Sequence, residues 1–273
     1  ETMDFYVLYN RFLKEEGYQT LPRRPLEKRK LRYEDVYPVL YLKYRLSRQA
    51  ERSNIKHLVI DEMQDYSRLQ YLIIRRMFSC KMTILGDRAQ TMADQQQDVL
   101  QFLPGIFGKD LRRIEMRKSY RNTVEIASYA ANLIGVTDLE LFERHGMPVL
   151  ERDVTDLEAA LREAVDTLFP DEKTYETAAV IVPDEKTAER AYLILREILA
   201  EKDFDCEKRL SWLNRDSSSF KKGLTVTTFY LAKGLEFDQV FSIFPKDEKR
   251  EIMMQAQYIA ATRALHELRV YHI

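Results

Sequence analysis

The chain has 273 residues, of which 45% are hydrophobic and 11% aromatic, enough for two small hydrophobic cores or one large one. Its 43 Lys and Arg nearly balance its 44 Asp and Glu, so no global basic field predicts nucleic-acid binding, and any such binding has to be local. Two cysteines cannot build a disulfide framework or a zinc site, and no apolar run reaches the roughly 20 residues needed to cross a bilayer. We therefore expect a cytoplasmic protein without a membrane partner.

The amino-terminal region is predicted to form two helices separated by a basic segment. A helix is predicted over 4–14, and helical spacing continues over 33–50. Between them, the Pro-containing stretch 21–30 carries a run of Lys and Arg. Such a run either contacts phosphates or forms a solvated linker.

Two carboxylates follow a short apolar run that predicts a strand over 57–61. A second strand is predicted over 82–85, and the amphipathic helix between the two strands implies a right-handed parallel crossover. Ligands of open α/β sheets bind at the carboxyl ends of strands, so Asp61 is a candidate Mg²⁺ ligand and Glu62 a candidate for orienting the attacking water of a nucleotide hydrolase. Alternatively, Asp61, Glu62 and Asp65 only cap the following helix.

The second half of the chain predicts another doubly wound α/β region. Strands and helices alternate over about 160 residues, and we place the domain boundary near residue 110, giving domains 1–110 and 111–273. The predicted strands cover 111–116, 178–182, 224–228, 240–244 and 268–271. The predicted helices cover 124–133, the region of Leu157, Leu161 and Leu168, and the region 188–199.

Five segments, in order, resemble motifs of the superfamily 1 helicases of the UvrD/Rep type. The segments 227–238 (TTFYLAKGLEFD) and 258–264 (YIAATRA) resemble the fifth and sixth motifs. The second, third and fourth motifs are matched by 61–64 (DEMQ), 86–90 (GDRAQ) and 119–122 (SYRN). The resemblance implies a RecA-like P-loop NTPase fold with parallel sheets flanked by helices. It makes 1–110 the C-terminal portion of the first RecA-like domain and 111–273 a complete second one.

The resemblance also implies an ATP and Mg²⁺ site contributed by the first domain. In that comparison Asp61 matches the Mg²⁺-binding acid and Glu62 matches the base that activates water. Gln90 matches the residue that senses the γ-phosphate and couples it to the nucleic-acid site. Phosphoryl transfer needs mainly positioning and electrostatic stabilisation, which these residue types can supply.

The second domain is expected to complete this site. Tyr120 matches the aromatic that stacks on adenine, Arg121 and Arg263 match arginines that reach the γ-phosphate, and Glu236 matches the acid that binds ribose. The alternatives are structural: Tyr120 is an aromatic residue of the core, and the two arginines are surface salt-bridge partners.

Three further residues of the fifth motif have a less specific expected role. We assign Lys233 to the nucleotide-binding loop, and Thr228 and Tyr230 to contacts with the nucleic-acid strand. The alternative for Lys233 and Gly234 is an ordinary turn.

Two features depart from the family pattern. No Gly-x-x-x-x-Gly-Lys-Ser/Thr sequence occurs, and the first residue is Glu. We therefore expect that the part of the first domain carrying this phosphate-binding loop is missing upstream, and that the chain alone does not hydrolyse ATP. The segment 91–94 lacks the base-stacking aromatics usual after the third motif, and Tyr230 stands where histidine is common.

The main functional hypothesis is an ATP-dependent DNA helicase or translocase acting on single-stranded or partly duplex DNA. Only the 106 residues of 122–227 separate Arg121 from Thr228, too few for a large inserted domain. This compactness resembles the helicase IV/HelD branch and raises the alternative of an ATPase that remodels RNA polymerase. The third hypothesis is a degenerate module that only binds a partner.

Overall fold

The computed structural model describes residues 3–47, 52, 54–87, 90, 99–108, 111–116, 118–136, 140–169, 175–202, 204–217, 222–246 and 251–273. The chain divides into two compact units. Unit 1 comprises Glu1–Thr91 and Gln95–Arg113, and unit 2 comprises Met92–Asp94 and Ile114–Ile273.

Unit 1 is a short parallel β-ladder with helices packed on it. Its elements are α1 (Phe5–Glu15), α2 (Tyr33–Leu46), β1 (His57–Ile60), α3 (Arg68–Met77), β2 (Lys81–Ile84) and α4 (Val99–Phe107). The β1 and β2 strands pair in parallel, with His57 opposite Lys81 and Ile60 opposite Ile84. The predicted strand–helix–strand crossover is confirmed.

The N-terminus of α3 tests the alternative that Asp61, Glu62 and Asp65 only cap the following helix. Ser67 is the N-cap residue: its hydroxyl accepts from the Gln70 amide, and the Gln70 side chain accepts from the Ser67 amide at 2.7 Å. This reciprocal capping box supplies the helix start from residues downstream of Asp61, Glu62 and Asp65. The reading of those acids as caps of α3 is therefore wrong.

The core of unit 1 lies on one face of the ladder. Ile60 packs with Tyr71 of α3 and with Val99 and Leu103 of α4. Val59, whose side chain points to the opposite face, is 60% exposed. The described ladder is thus covered by helices on a single side.

Unit 2 is an α/β layer structure. Its elements are β3 (Lys118–Ser119), α5 (Val124–Leu133), β4 (Glu140–Leu141), β5 (Leu150–Asp153), α6 (Leu157–Asp166), β6 (Thr177–Val182), α7 (Glu185–Ala200), α8 (Cys206–Arg209), β7 (Leu210–Trp212), β8 (Gly223–Thr228), β9 (Phe237–Phe244), α9 (Glu251–Ala261) and β10 (Ala264–His272). A six-stranded sheet has the order β5-β10-β9-β6-β8-β7, with every pairing parallel. The predicted α/β fold class, with parallel sheets flanked by helices, is confirmed.

Helices cover both faces of this sheet. On one face, residues of β6 and β9 pack against α6 and α7, and on the other face against α5 and α9. The apolar run 178–182 is buried throughout, as expected for a central parallel strand.

The strand predicted over 111–116 is wrong. These residues form no helix or strand, and Ile114 and Met116 are 85% and 87% exposed. Their apolar residues do not alternate regularly, so the segment offers no single face to bury against a sheet. The next strand, β3, pairs with β4 in a separate two-residue ladder.

Among the described residues, no helix has both the length and the apolar character needed to span a bilayer.

Candidate functional site

In unit 1 the acidic motif lies immediately after β1. The Asp61 carboxylate accepts a hydrogen bond from the Glu62 amide at 2.8 Å. Glu62 has a left-handed backbone conformation, with φ of 52° and ψ of 50°. For a residue other than glycine this conformation costs on the order of 1 kcal/mol, and such strain is concentrated at functional sites.

A chain of side-chain hydrogen bonds links the ends of β1 and β2. Gln64 donates through Nε2 to Glu62 Oε2 at 2.5 Å, and its Oε1 accepts from the Asp87 amide at 3.0 Å. Asp87 Oδ2 in turn accepts from Gln90 Nε2 at 2.9 Å. The structure therefore brings Glu62 and Gln90, two residues expected to act on the same phosphate, into one hydrogen-bonded chain.

Gly86 allows the two strand ends to approach each other. A Cβ atom at this position would lie 2.4 Å from Gln64 Oε1 and 2.6 Å from the Met63 amide nitrogen. The same close approach lets the Met63 amide donate to the Leu85 carbonyl at 2.8 Å. The glycine of this motif thus has a packing reason that does not depend on φ.

In unit 2 the expected phosphate and ribose residues are partners of each other. Arg121 Nε and Glu236 Oε1 are 2.7 Å apart, and both side chains are about half exposed. Arg121 follows β3, and Glu236 directly precedes β9. This geometry is compatible with the functional role of Arg121 and equally with the alternative that it is a surface salt-bridge partner.

Arg263 lies near the same strand ends but is only 2% exposed. Its guanidinium donates to the carbonyls of Ile259 and Leu235, at 3.2 and 3.4 Å, and to the Thr262 hydroxyl at 3.1 Å. The alternative of a surface salt-bridge partner is therefore wrong for Arg263. Its bond to Leu235 fixes the backbone next to Glu236.

Two side chains hold the segment around Arg121 against the start of β10. Asn122 Nδ2 donates to the carbonyls of Ala264 and Thr262, at 2.6 and 3.3 Å. Arg144 Nη2 donates to the Arg121 carbonyl at 2.7 Å and also to the Leu265 carbonyl. Together they position Arg121 beside the amino ends of β9 and β10.

Tyr120 is 61% exposed, so the alternative of a core aromatic is wrong. Phe142, 47% exposed, lies beside it, with the ring centroids 5.5 Å apart and the planes inclined by 38°. The Lys118 ammonium is 5.5 Å from the Tyr120 ring centroid. Exposed aromatic faces next to a cation are suited to stacking on a nucleobase.

The other three candidate residues of the fifth motif lie at the end of β8 and in the turn that follows it. Thr228 ends β8, so it is at the opposite edge of the parallel sheet from Glu236. Its buried hydroxyl has no hydrogen-bond partner among the described residues. Tyr230 packs edge-on against Phe229. Lys233 and Gly234 form a turn, with φ of 81° at Gly234, as the simpler alternative predicted.

One carboxylate near this region has a strongly shifted pKa. A hydrogen bond with His145, supported by backbone amides including that of Gly146, lowers the pKa of Glu125 to about 2. Glu125 lies in the first turn of α5, directly after the segment that positions Arg121. It is charged at neutral pH and anchors the loop that carries Arg144.

Three residues of these sites were not singled out from the sequence. Gln64 and Arg144 act through neighbours that only the fold brings close, and Phe142 becomes adjacent to Tyr120 only through the pairing of β3 and β4. Residues 88–89 of the third motif, and the segment 91–94 that lacks aromatics, lie outside the described residues. Within the described part of the chain, no group of three or more His, Cys, Asp and Glu could hold a metal ion.

The solved structures that match the chain include a possible DNA helicase and two viral helicases. The C-terminal domain of a possible DNA helicase from Lactobacillus plantarum WCFS1 is 24% identical, with a TM-score of 0.44 over 57% of this chain and 88% of that one. The helicase of PRRSV is 18% identical, with a TM-score of 0.42 over 80% of this chain and 35% of that one. The Arterivirus nonstructural protein 10 helicase, solved in complex with DNA, is 15% identical, with a TM-score of 0.42 over 80% of this chain and 39% of that one.

No curated protein matches the chain. Residues 1–92, which carry the second and third helicase-like motifs, match the family model of the UvrD/REP helicase N-terminal domain.

Proposed function

We propose that the chain is part of an ATP-dependent nucleic-acid motor, a DNA helicase or translocase of the UvrD/REP type. The observation that carries this proposal is the hydrogen-bonded chain from Glu62 through Gln64 and Asp87 to Gln90. It lies at the carboxyl ends of two parallel strands, inside the segment that matches the helicase family model.

The residues present fit Mg²⁺ and part of an ATP site, since the phosphate-binding loop does not occur among them. Mg²⁺ is usually held by one or two carboxylates together with water and substrate phosphates, so the single carboxylate Asp61 suffices on the protein side. The ion would supply neutralisation of charge on the phosphates. Glu62 then orients a water molecule, and the hydrogen bonds of Gln64 hold its carboxylate in place.

Gln90 fits the coupling role because of its partners. Its amide donates to Asp87, whose backbone amide donates to Gln64, and Gln64 donates to Glu62. A displacement of Gln90 by a bound phosphate would therefore be transmitted to Glu62 over three hydrogen bonds.

Unit 2 supplies positive charge and an aromatic surface. Of the two arginines expected at the γ-phosphate, Arg121 is accessible, whereas Arg263 would first have to leave the carbonyls of Ile259 and Leu235. An arginine that reaches the γ-phosphate contributes about 10³ to 10⁵ in rate where it has been measured. Because Glu236 neutralises Arg121 here, nucleotide binding has to replace this ion pair with contacts to phosphate and ribose.

The sequence supports no phosphate-binding loop within these 273 residues. We therefore expect the isolated chain to show no ATP hydrolysis, and we place the activity in the full-length protein. Measurable hydrolysis by the isolated chain would contradict this expectation.

The test measures ATP hydrolysis by the full-length protein with no additive, with single-stranded DNA, and with RNA polymerase. Strong stimulation by DNA, with movement along the strand, supports the motor. Stimulation by polymerase alone contradicts the DNA motor and supports an ATPase that remodels RNA polymerase. Absence of hydrolysis in all three arms rejects an ATPase and leaves the binding module.

A further inference from the structure

Unit 1 presents a cluster of exposed cations on the side away from Asp61 and Glu62. We define the amino-edge cluster by its members, which are all exposed: Lys43, Arg45, Arg52, Arg75, Arg76 and Lys81. The first two end α2, the two arginines at 75 and 76 end α3, and Lys81 begins β2.

The topology brings these residues together. Since α3 connects the carboxyl end of β1 to the amino end of β2, its last turn lies at the amino edge of the ladder. Arg76 Nε donates to the Tyr44 carbonyl at 3.2 Å, which joins the ends of α2 and α3. The Arg52 amide donates to the Met77 carbonyl at 2.8 Å, which adds the segment before β1.

The cluster has no counter-charge in the described structure. None of its six cations forms an ion pair with a described carboxylate. Many exposed cations of unit 2 do, including Arg152 with Glu163, Arg162 with Glu158, Lys202 with Asp166 and Lys222 with Glu176. Residues 1–113 also contain more Lys and Arg than Asp and Glu, whereas the reverse holds for 114–273.

Helix dipoles account for only part of this arrangement. Cations in the last turn of a helix are stabilised by about 0.3–1 kcal/mol, which explains basic residues at the ends of α2 and α3 separately. It does not explain why Arg52 and Lys81, which lie outside both helices, extend the same charge without an ion pair to any described carboxylate. An uncompensated patch of this kind attracts polyanions and raises their association rate.

We propose that the amino-edge cluster binds the phosphodiester backbone of a nucleic acid. Four of its six members are arginines, whose planar guanidinium matches phosphate geometry better than ammonium does. Such contacts hold a strand in register without reading its sequence. This inference deepens the proposed function by adding a nucleic-acid contact remote from the strand-end site, and it requires no ATP.

The test measures binding of the 273-residue chain to fluorescently labelled single-stranded DNA, duplex DNA and RNA, without nucleotide, between about 50 and 200 mM salt. The variant Arg45→Glu/Arg75→Glu removes two cluster cations whose side chains make no hydrogen bond in the described structure. Arg23→Glu/Arg24→Glu, in the basic connector of the same unit, is the matched control with an identical charge change. Hydrogen exchange of β1 and α3 verifies that both variants fold.

For at least one of the three nucleic acids, the wild type binds with a steep salt dependence. The cluster variant reduces the slope of log affinity against log salt by about two or more, since each phosphate contact contributes about 0.9. The connector variant keeps the wild-type slope. The relative affinities of the three probes identify the kind of strand.

Three results overturn the proposal: no salt-dependent binding by the wild type, equal loss in both variants, or binding to anionic phosphatidylserine vesicles in place of nucleic acid. Two separate measurements on the wild-type protein distinguish this proposal from the proposed function. Nucleic-acid binding is measured without nucleotide and ATP hydrolysis is measured on the full-length protein, so absent hydrolysis with intact binding rejects only the motor mechanism.

Discussion

The two units reach their functional geometry by different means. In unit 2 a six-stranded sheet is covered by helices on both faces, and the ion pair of Arg121 and Glu236 lies beside the amino ends of its strands. In unit 1 the described ladder has two strands and one covered face, and its site is held by side-chain hydrogen bonds and a close glycine contact. The buried core of unit 2 therefore determines the position of Arg121 through the strands beside it. The position of Glu62 depends directly on the hydrogen bond from Gln64 and on the close approach at Gly86.

The largest effect is expected from Gly86→Ala. The added Cβ would overlap Gln64 Oε1 and the Met63 backbone, and since a backbone atom cannot move aside cheaply, unit 1 loses about 3 kcal/mol. Faster hydrogen exchange at β1 and β2 measures the loss.

Gly105→Ala is the matched control for that substitution. Gly105 lies in α4 with no atom within 4 Å of the added Cβ, so alanine stabilises the helix by about 0.5–1 kcal/mol. Equal destabilisation by the two substitutions would contradict the close approach at Gly86.

A pair of Val→Ala substitutions compares the two sheets directly. Val180, in β6, is fully buried, and its truncation costs unit 2 about 2 kcal/mol. Val59→Ala, at the open face of β1, changes the stability of unit 1 by no more than about 0.5 kcal/mol.

The single tryptophan makes this comparison measurable. Trp212 lies in β7, so its fluorescence during denaturant unfolding reports unit 2. Hydrogen exchange of β1 reports unit 1. A large cost for Val59→Ala would show that the open face of β1 is covered.

Electrostatics contributes a smaller, pH-dependent effect in unit 2. Because the pKa of Glu125 falls from 4.5 to about 2 on folding, its contribution is complete above pH 4.5 and is lost as the pH falls towards 2. Glu125→Gln removes this pH dependence. The contribution to the free energy of unfolding is on the order of 1 kcal/mol, because the pair is partly exposed. Denaturation followed by Trp212 fluorescence at pH 5 and pH 3 measures it. An unchanged difference between the two pH values would exclude the Glu125–His145 contact as its source.

The smallest effect on stability belongs to the ion pair of Arg121 and Glu236. Both side chains are about half exposed, so a double-mutant cycle with Arg121→Gln and Glu236→Gln gives a coupling of about 0–1 kcal/mol. A coupling of several kcal/mol would mean that the pair is a structural element of unit 2, which would leave its proposed exchange for nucleotide unsupported.

The sequence predicts the elements whose patterns match their burial. The continuous apolar run 178–182 predicts a covered strand, and β6 is one. The apolar residues of 111–116 suggest a strand that does not form, because regular alternation is absent and no described strand pairs with them. The helical spacing over 33–50 predicts α2, which ends at Leu46 and packs against α1 through Val39 and Leu42.

Contacts between distant residues are the part of the site that sequence could not provide. The motif residues Glu62 and Gln90 are apparent from the sequence, but the bridge through Gln64 requires the register of β1 and β2. Phe142 and Arg144 lie more than 20 positions from the residues they contact, and nothing in their local pattern marks them. The left-handed backbone conformation of Glu62 also cannot be predicted from the sequence, since glutamate seldom adopts it.

The most direct test of the central claim is the steady-state rate of ATP hydrolysis by the full-length protein with saturating single-stranded DNA, compared between wild type and Glu62→Gln. Glu158→Gln, which removes an exposed carboxylate of α6, is the control for the charge change. If Glu62 orients the attacking water, Glu62→Gln abolishes most of the hydrolysis while ATP binding is retained, and Glu158→Gln matches the wild type. Wild-type hydrolysis by Glu62→Gln would contradict the account.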